Sequence, residues 1–132
     1  KVEFSGGGGG GAVDSVNGQT GVVILTEESI LGTSTYSATN TGTVNLDLST
    51  FSDHYMILTG NTTVTVTNTP ASGKSFVKNL TVKSTAAETL SLPGTWTIIG
   101  TYKNDTTSNY LTVKFTNFPT LGAKVYCYIN QP

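Results

Sequence analysis

From Thr43 onward, apolar residues alternate with polar ones in short runs. Val44, Leu46 and Leu48 alternate with Asn45 and Asp47, Val64 and Val66 with threonines, and Leu111, Val113 and Phe115 with Thr112 and Lys114. A period of two puts one set of side chains on a buried face and the other in water, so these runs predict strands. Turn chemistry separates them at intervals of roughly 8–12 residues, the rhythm of a sandwich or barrel. Gly60-Asn61 reads as a two-residue hairpin joining residues 54–59 to residues 62–67, Pro93-Gly94 as a turn before Trp96, residues 103–109 as a polar loop and Phe118-Pro119 as a bend. Phe76, Lys78, Leu80 and Val82 share a phase that Lys78 does not suit, and a bulge would turn Val77 inward instead. The expected fold is all-β: about eight strands in an antiparallel, jelly-roll-like β-sandwich. Its core is expected to hold Val44, Leu46, Val64, Val66, Leu80, Leu90, Trp96, Leu111, Val113 and Val125.

The first third of the chain is patterned differently. Gly6, Gly7, Gly8, Gly9, Gly10 and Gly11 have no side chain to bury and the highest backbone entropy, which predicts a hinge. A tether, a swivel, and close three-chain packing about an axis all suit such a run. Asn17-Gly18, between Val13/Val16 and the β-branched run after Gly21, predicts a small hairpin. Glu27-Glu28-Ser29-Ile30-Leu31 could close one helical turn, and residues 33–42 read as a Ser/Thr/Asn/Gly connector. The expected organisation is a Gly-rich linker over residues 1–11, a hairpin and polar connector over 12–42, and the sandwich over 43–132. The first residue is Lys1 rather than Met, which suits a processed product or part of a longer chain.

Composition supports the β reading and removes several functions. Threonine supplies roughly a fifth of the 132 residues and is β-branched, stiff at χ1 and favoured on strands. Only 11% of residues are charged, the formal net charge is −1 and there is no arginine, so nucleic-acid binding is not expected. No apolar run approaches the roughly 18 residues of a membrane span, and no membrane insertion is expected. Cys127 is the only cysteine and falls in the Val125/Ile129 phase, which predicts a buried free thiol.

Candidate chemistry is sparse. One histidine, His54, excludes any single-chain site built on two imidazoles, and no metal or other cofactor is expected. Asp53 and His54 are strand neighbours and point to opposite faces, so they do not converge on a substrate. Asp47, Asp53, Glu88 and Asp105 each stand alone in polar or turn contexts, unlike the paired carboxyls of a glycosidase. No catalytic residue is expected. The tyrosines carry more information: Tyr126 and Tyr128 alternate with the buried phase of the last strand and should face outward, while Tyr102 and Tyr110 flank the polar loop. Outward tyrosines suit half-buried strand edges, a trimer seam, or contact with a glycan or receptor.

Two segments are similar to known ones. Val13-Asp14-Ser15-Val16-Asn17-Gly18-Gln19-Thr20-Gly21-Val22-Val23-Ile24-Leu25-Thr26 resembles a segment that recurs in bacteriophage tail fibres, head fibres and related appendages. The second comprises Val44-Asn45-Leu46-Asp47-Leu48-Ser49, Leu58-Thr59-Gly60-Asn61-Thr62-Thr63-Val64-Thr65-Val66, Gly73-Lys74-Ser75, Leu92-Pro93-Gly94-Thr95-Trp96 and Lys124-Val125-Tyr126-Cys127-Tyr128. It resembles a β-rich module of phage structural proteins with these pieces in this order. Together the segments cover most of residues 13–130. The resemblance implies a virion surface protein, usually trimeric, that attaches to the host or decorates the shell, and the leading expectation is a homotrimeric knob of a fibre or spike on the virion exterior. Such a knob would contact other virion proteins and attach to a host-surface glycan or protein receptor. It carries no catalytic residues. The family often has a longer Gly-rich loop after the Trp, whereas Ile98-Ile99-Gly100 here runs directly into Tyr102. A capsid decoration or minor virion protein without a receptor, a bacterial surface carbohydrate-binding module, and an enzyme acting on host polysaccharide are the alternatives.

Overall fold

The computed structural model describes residues 32–132 throughout, and before them the backbone of residues 2–4, 15–16, 19–20 and 23–25. The predicted glycine hinge at Gly6 to Gly11 and the helical turn at residues 27–31 lie outside the described residues. The chain divides into two units, Lys1–Thr33 and Ser34–Pro132. In the first, β1 (Val2–Phe4) pairs antiparallel with β4 (Val23–Leu25), and β2 (Ser15–Val16) pairs antiparallel with β3 (Gln19–Thr20) on either side of Asn17-Gly18. The hairpin strands therefore lie where the turn signal puts them.

The second unit is all-β and sandwich-like. Its strands are β5 (Ser34–Asp47), β6 (Asp53–Thr67), β7 (Lys74–Ser84), β8 (Leu90–Ser91), β9 (Thr97–Ile99), β10 (Asn109–Phe118) and β11 (Gly122–Asn130). They hydrogen-bond in the order β5-β6-β7-β10-β11-β9, with β8 on β6. The sheet is mixed rather than wholly antiparallel: β5–β6, β6–β7, β6–β8 and β9–β11 are parallel, and only β7–β10–β11 alternate in direction. These pairings do not establish a jelly-roll order.

Parallel neighbours impose a shape on β5 and β6. A straight strand of 14 residues would be roughly 45 Å long, and residues 48–52 reach at most about 18 Å, too short to return from one end to the other. Each strand must therefore fold back midway. The register of β5 on β6 breaks between Ser37 and Gly42, which is that corner. Residues 34–37 and 53–58 join β7, β9, β10 and β11 in a broad layer, and residues 42–47 and 62–67 join β8 in a narrow one.

The corner explains why Gly60-Asn61 is not a hairpin turn. Residues 53–58 and 62–67 do not pair with each other; each half of β6 pairs with the corresponding half of β5. A type I′ turn needs positive φ at both central residues, and neither Gly60 nor Asn61 is among the residues with positive φ. Gly60 is needed for a different reason, because a Cβ there would collide with the Thr41 side chain. Asn40 completes the corner from inside: its Nδ2 donates to the carbonyls of Ser37 (3.0 Å) and Ile57 (2.9 Å), and its own carbonyl accepts from Thr62 Oγ1 (3.1 Å). The unit accordingly begins at Ser34. Residues 33–42, read from sequence as a connector, form most of the first half of an edge strand. They look like a loop because their inward positions hold Thr35, Ser37 and Asn40.

The core lies between the layers. Leu46, Val64, Leu80, Trp96, Leu111 and Val113 are buried as expected, and Val44, Val66, Leu90 and Val125 pack against them partly buried. Met56, Leu58, Val82, Phe115 and Cys127 are at least as deep. Phe115 sits between Phe76 and Trp96, with ring centroids 5.5 Å from each. Burial pushes the Cys127 thiol up to about 11, so it stays protonated at neutral pH. Native protein should therefore resist alkylation at Cys127 and react only once urea has unfolded it.

No bulge turns Val77 inward on β7. The β7–β10 register runs unbroken, with Lys78 opposite Val113, so Lys78 keeps the inward phase and Val77 is 48% exposed. The lysine is tolerated because its Nζ donates to the Phe51 carbonyl at 2.6 Å and lies 4.9 Å from the Phe76 ring centroid.

Candidate contact face and the buried His54 network

The outward side chains of the broad layer form the candidate site. Strand register places Tyr36, Tyr55, Thr81, Tyr110 and Asn130 in one row across five strands. The adjacent row is Ser34, Asp53, Asn79, Thr112, Tyr128 and Ile99, and Val77, Lys114, Tyr126 and Thr97 make a third. Neighbouring strands lie about 4.8 Å apart, so each row is a track of side chains at that spacing. Tyr36 is 59% exposed, Tyr110 45% and Tyr128 40%; Tyr55 is also exposed and Tyr126 is half-buried. The Tyr36 and Tyr55 rings lie 5.3 Å apart.

Of the four tyrosines picked out from sequence, the structure brings Tyr110, Tyr126 and Tyr128 to this face and separates Tyr102 from them. Tyr102 packs against the core and shares a 2.9 Å hydrogen bond with Ser84 Oγ. Burial raises its phenol above the ordinary range. The polar loop it precedes is pinned by Asn109, fully buried, whose Oδ1 accepts from the Lys103 N–H and Gln131 Nε2 and whose Nδ2 donates to the Lys103 carbonyl. Tyr36 and Tyr55, which the sequence pattern does not single out, complete the face. Tyr36 lies in the segment read as a connector, and the outward phase of Tyr55 follows directly from the inward phase of Met56.

The face is aromatic and hydroxylic with few charges. Asp53 and Lys114 lie in its rows. Among the described residues, the remaining carboxylates, Asp47, Glu88 and Asp105, are each tied into a local turn. Asp47 accepts from Asn68 Nδ2 (2.6 Å) and from the Ser49 hydroxyl and N–H, which hold its carboxyl below the usual range. Burial works against the charge of Glu88, but the Ala86 N–H and the Thr85 hydroxyl outweigh it and the carboxyl lies low. Asp105 is lowered by Thr107. Among the described residues no group of three or more His, Cys, Asp or Glu could hold a metal ion.

His54 is buried and its neighbours define its proton. Asn40 Nδ2 already donates to two carbonyls, so Asn40 Oδ1 takes the Ser37 hydroxyl proton. Ser37 Oγ must then accept from His54 Nε2–H (3.1 Å), leaving Nδ1 to accept from Thr35 Oγ1–H (2.6 Å). A second proton would force the Thr35 hydroxyl to turn away. The ring sits 5.3 Å from that of Phe51, whose carbonyl holds the Lys78 ammonium, and among the described residues no carboxylate bonds either ring nitrogen.

Burial lowers the His54 pKa below its ordinary 6.5. As pH falls the unfolded chain takes up this proton first, so stability is full above 6.5 and declines as pH drops through the folded-state value. Urea midpoints measured between about pH 7 and about pH 5 should fall for the native chain and fall less for His54→Gln. An equal decline in both would remove His54 as the cause.

Compared with protein-family models, with curated proteins and with solved structures, the chain matches none.

Proposed function

We propose that the chain is a non-enzymatic attachment module from the exterior of a bacteriophage particle, the knob of a fibre or spike working as a homotrimer. The observation that carries the reading is the outer face of the broad layer, on which five of the six tyrosines stand among threonine and asparagine side chains. Tyrosine offers large, rigid contact area at low entropy cost, and short hydroxyl and amide side chains add adaptable hydrogen bonds. That composition suits a binding surface. The turn-bound carboxylates support a role in binding rather than catalysis. The viral setting rests on the two resembling segments, which also imply contacts with other virion proteins.

Sedimentation of the purified chain and its adsorption to susceptible and resistant host cells test the reading together. A mass about three times the 13.8 kDa of one chain, with adsorption to susceptible cells alone, is expected. A trimer that adsorbs to neither would favour a decoration protein of the same particle, and a monomer that adsorbs to neither would contradict the proposal.

A further inference from the structure

A second, smaller feature lies on the inner side of the same unit and does not depend on the tyrosine face. At the end of the sandwich where β10 turns into β11, a cavity of about 330 Å³ opens between the layers. This is at the lower end of the range for small-molecule sites, about 300–1,000 Å³. Its apolar wall is Phe115, Val125, Ala123 and Pro70. Phe115 is held in place by Phe76 and Trp96, and Val125 and Ala123 follow in the inward phase of β11.

The rim is polar and uncharged. Thr69, Thr95 and Asn117 stand on it, from the segment after β6, the turn after Pro93 and the end of β10. Asn117 Nδ2 donates to the Pro70 carbonyl at 2.9 Å, which fixes the amide and leaves its Oδ1 without a hydrogen-bond partner among the described residues. The Thr69 and Thr95 hydroxyls stand beside it on the lining of the cavity. No Lys, Asp, Glu or His lines the cavity. An ionic ligand would therefore lose its water without gaining a counter-charge. An aliphatic one would cover the three rim groups without satisfying them. The chemistry left is a small uncharged ring with an apolar C–H surface and several hydroxyls.

We infer that this cavity is a binding site for one neutral sugar residue, its C–H surface against Phe115 and Val125 and its hydroxyls on Thr69, Thr95 and Asn117. Binding by a single shallow site is weak, in the millimolar range.

Amide chemical shifts of the full chain should be followed while glucose, galactose, mannose, rhamnose, N-acetylglucosamine and N-acetylgalactosamine are added singly, with glucuronate and glucosamine as charged counterparts. At least one neutral sugar should shift the amides of residues 115–117 and 123–125 saturably. Its charged counterparts should bind about tenfold more weakly or worse. Ala123→Leu, which fills the cavity without removing a hydrogen bond, should abolish the response, and Thr95→Val should weaken it about fivefold. Both variants should keep the native spectrum elsewhere. If Ala123→Leu fails to fold, Thr95→Val alone decides. The inference is overturned if no sugar of the panel gives saturable shifts at these amides, if charged and neutral sugars respond alike, or if the variants leave the response intact. Shifts confined to Tyr36, Tyr55, Tyr110 and Tyr128 would overturn the cavity site and leave the attachment reading standing, since they would place the sugar on the outer face.

Discussion

Phe115→Ala should destabilise the sandwich by about 3–5 kcal/mol, a large share of the roughly 5–15 kcal/mol available to a domain of this kind. Phe115 is 1% exposed and lies where three aromatic rings from different parts of the chain meet: Phe76 on β7, Trp96 in the turn before β9, and its own on β10. Truncation removes the partner of both neighbours at once, and the rigid paired strands around it cannot close the space. Equilibrium urea unfolding should show a lower midpoint at an unchanged slope. Thr112→Ala, on the exposed face of the same strand, should stay within about 0.5 kcal/mol of the native chain. A Phe115→Ala cost close to that of Thr112→Ala would mean that the three rings do not form the centre of the core.

Removing residues 1–40 should cost about 3 kcal/mol or more, whereas removing residues 1–32 should leave the sandwich cooperative. The hydrophobic alternation alone places the start of the fold at Thr43 and predicts that a chain beginning near Thr41 stays folded. The contacts of residues 34–40 favour the opposite outcome. The first half of β5 pairs with residues 53–58 and supplies Thr35 and Ser37 to His54 and Asn40 to the carbonyls of Ser37 and Ile57. Without it, Met56 and Leu58, both fully buried, would lose the strand beside them. Two truncated chains compared by urea unfolding make the test. Equal midpoints would return residues 34–40 to the status of a connector.

These two expectations show where the sequence is readable. Strict alternation through residues 62–66, 111–115 and 125–129 assigns the inward faces correctly, because a one-residue slip would expose the whole apolar set; residues 55–58 are four apolar residues in succession, and their inward pair Met56 and Leu58 is not marked by any alternation. The outward placement of Tyr126 and Tyr128 follows from the same rule. Strand direction is not contained in that pattern. The pattern of residues 54–59 and 62–67 is the same whether they fold as an antiparallel hairpin or as two halves of one strand turning a corner, and Gly-Asn suits either when only residue type is considered. The choice is made by the neighbouring strand β5, where the Thr41 side chain occupies the space a Cβ on Gly60 would need.

Edge strands hide for a related reason. The inward side of residues 34–40 is polar because it closes the end of the stack against His54, so no hydrophobic period marks it as a strand. With that strand unrecognised, Tyr36 is lost from the candidate face, and with it the row that runs through Tyr55 to Tyr110. Tyr102 stands beside a polar loop, yet loop proximity does not fix the direction of a side chain. Ser84 and the core draw it inward.

The most direct test of the attachment reading is adsorption of a chain carrying Tyr36→Ser, Tyr55→Ser, Tyr110→Ser and Tyr128→Ser to susceptible host cells. All four side chains are exposed, so the variant should unfold within about 1–2 kcal/mol of the native chain. Its adsorption should fall at least about tenfold, since exposed aromatic side chains dominate contact energies. Adsorption equal to that of the native chain, in a variant shown to be folded, would contradict the assignment of the tyrosine face as the surface by which this protein makes contact.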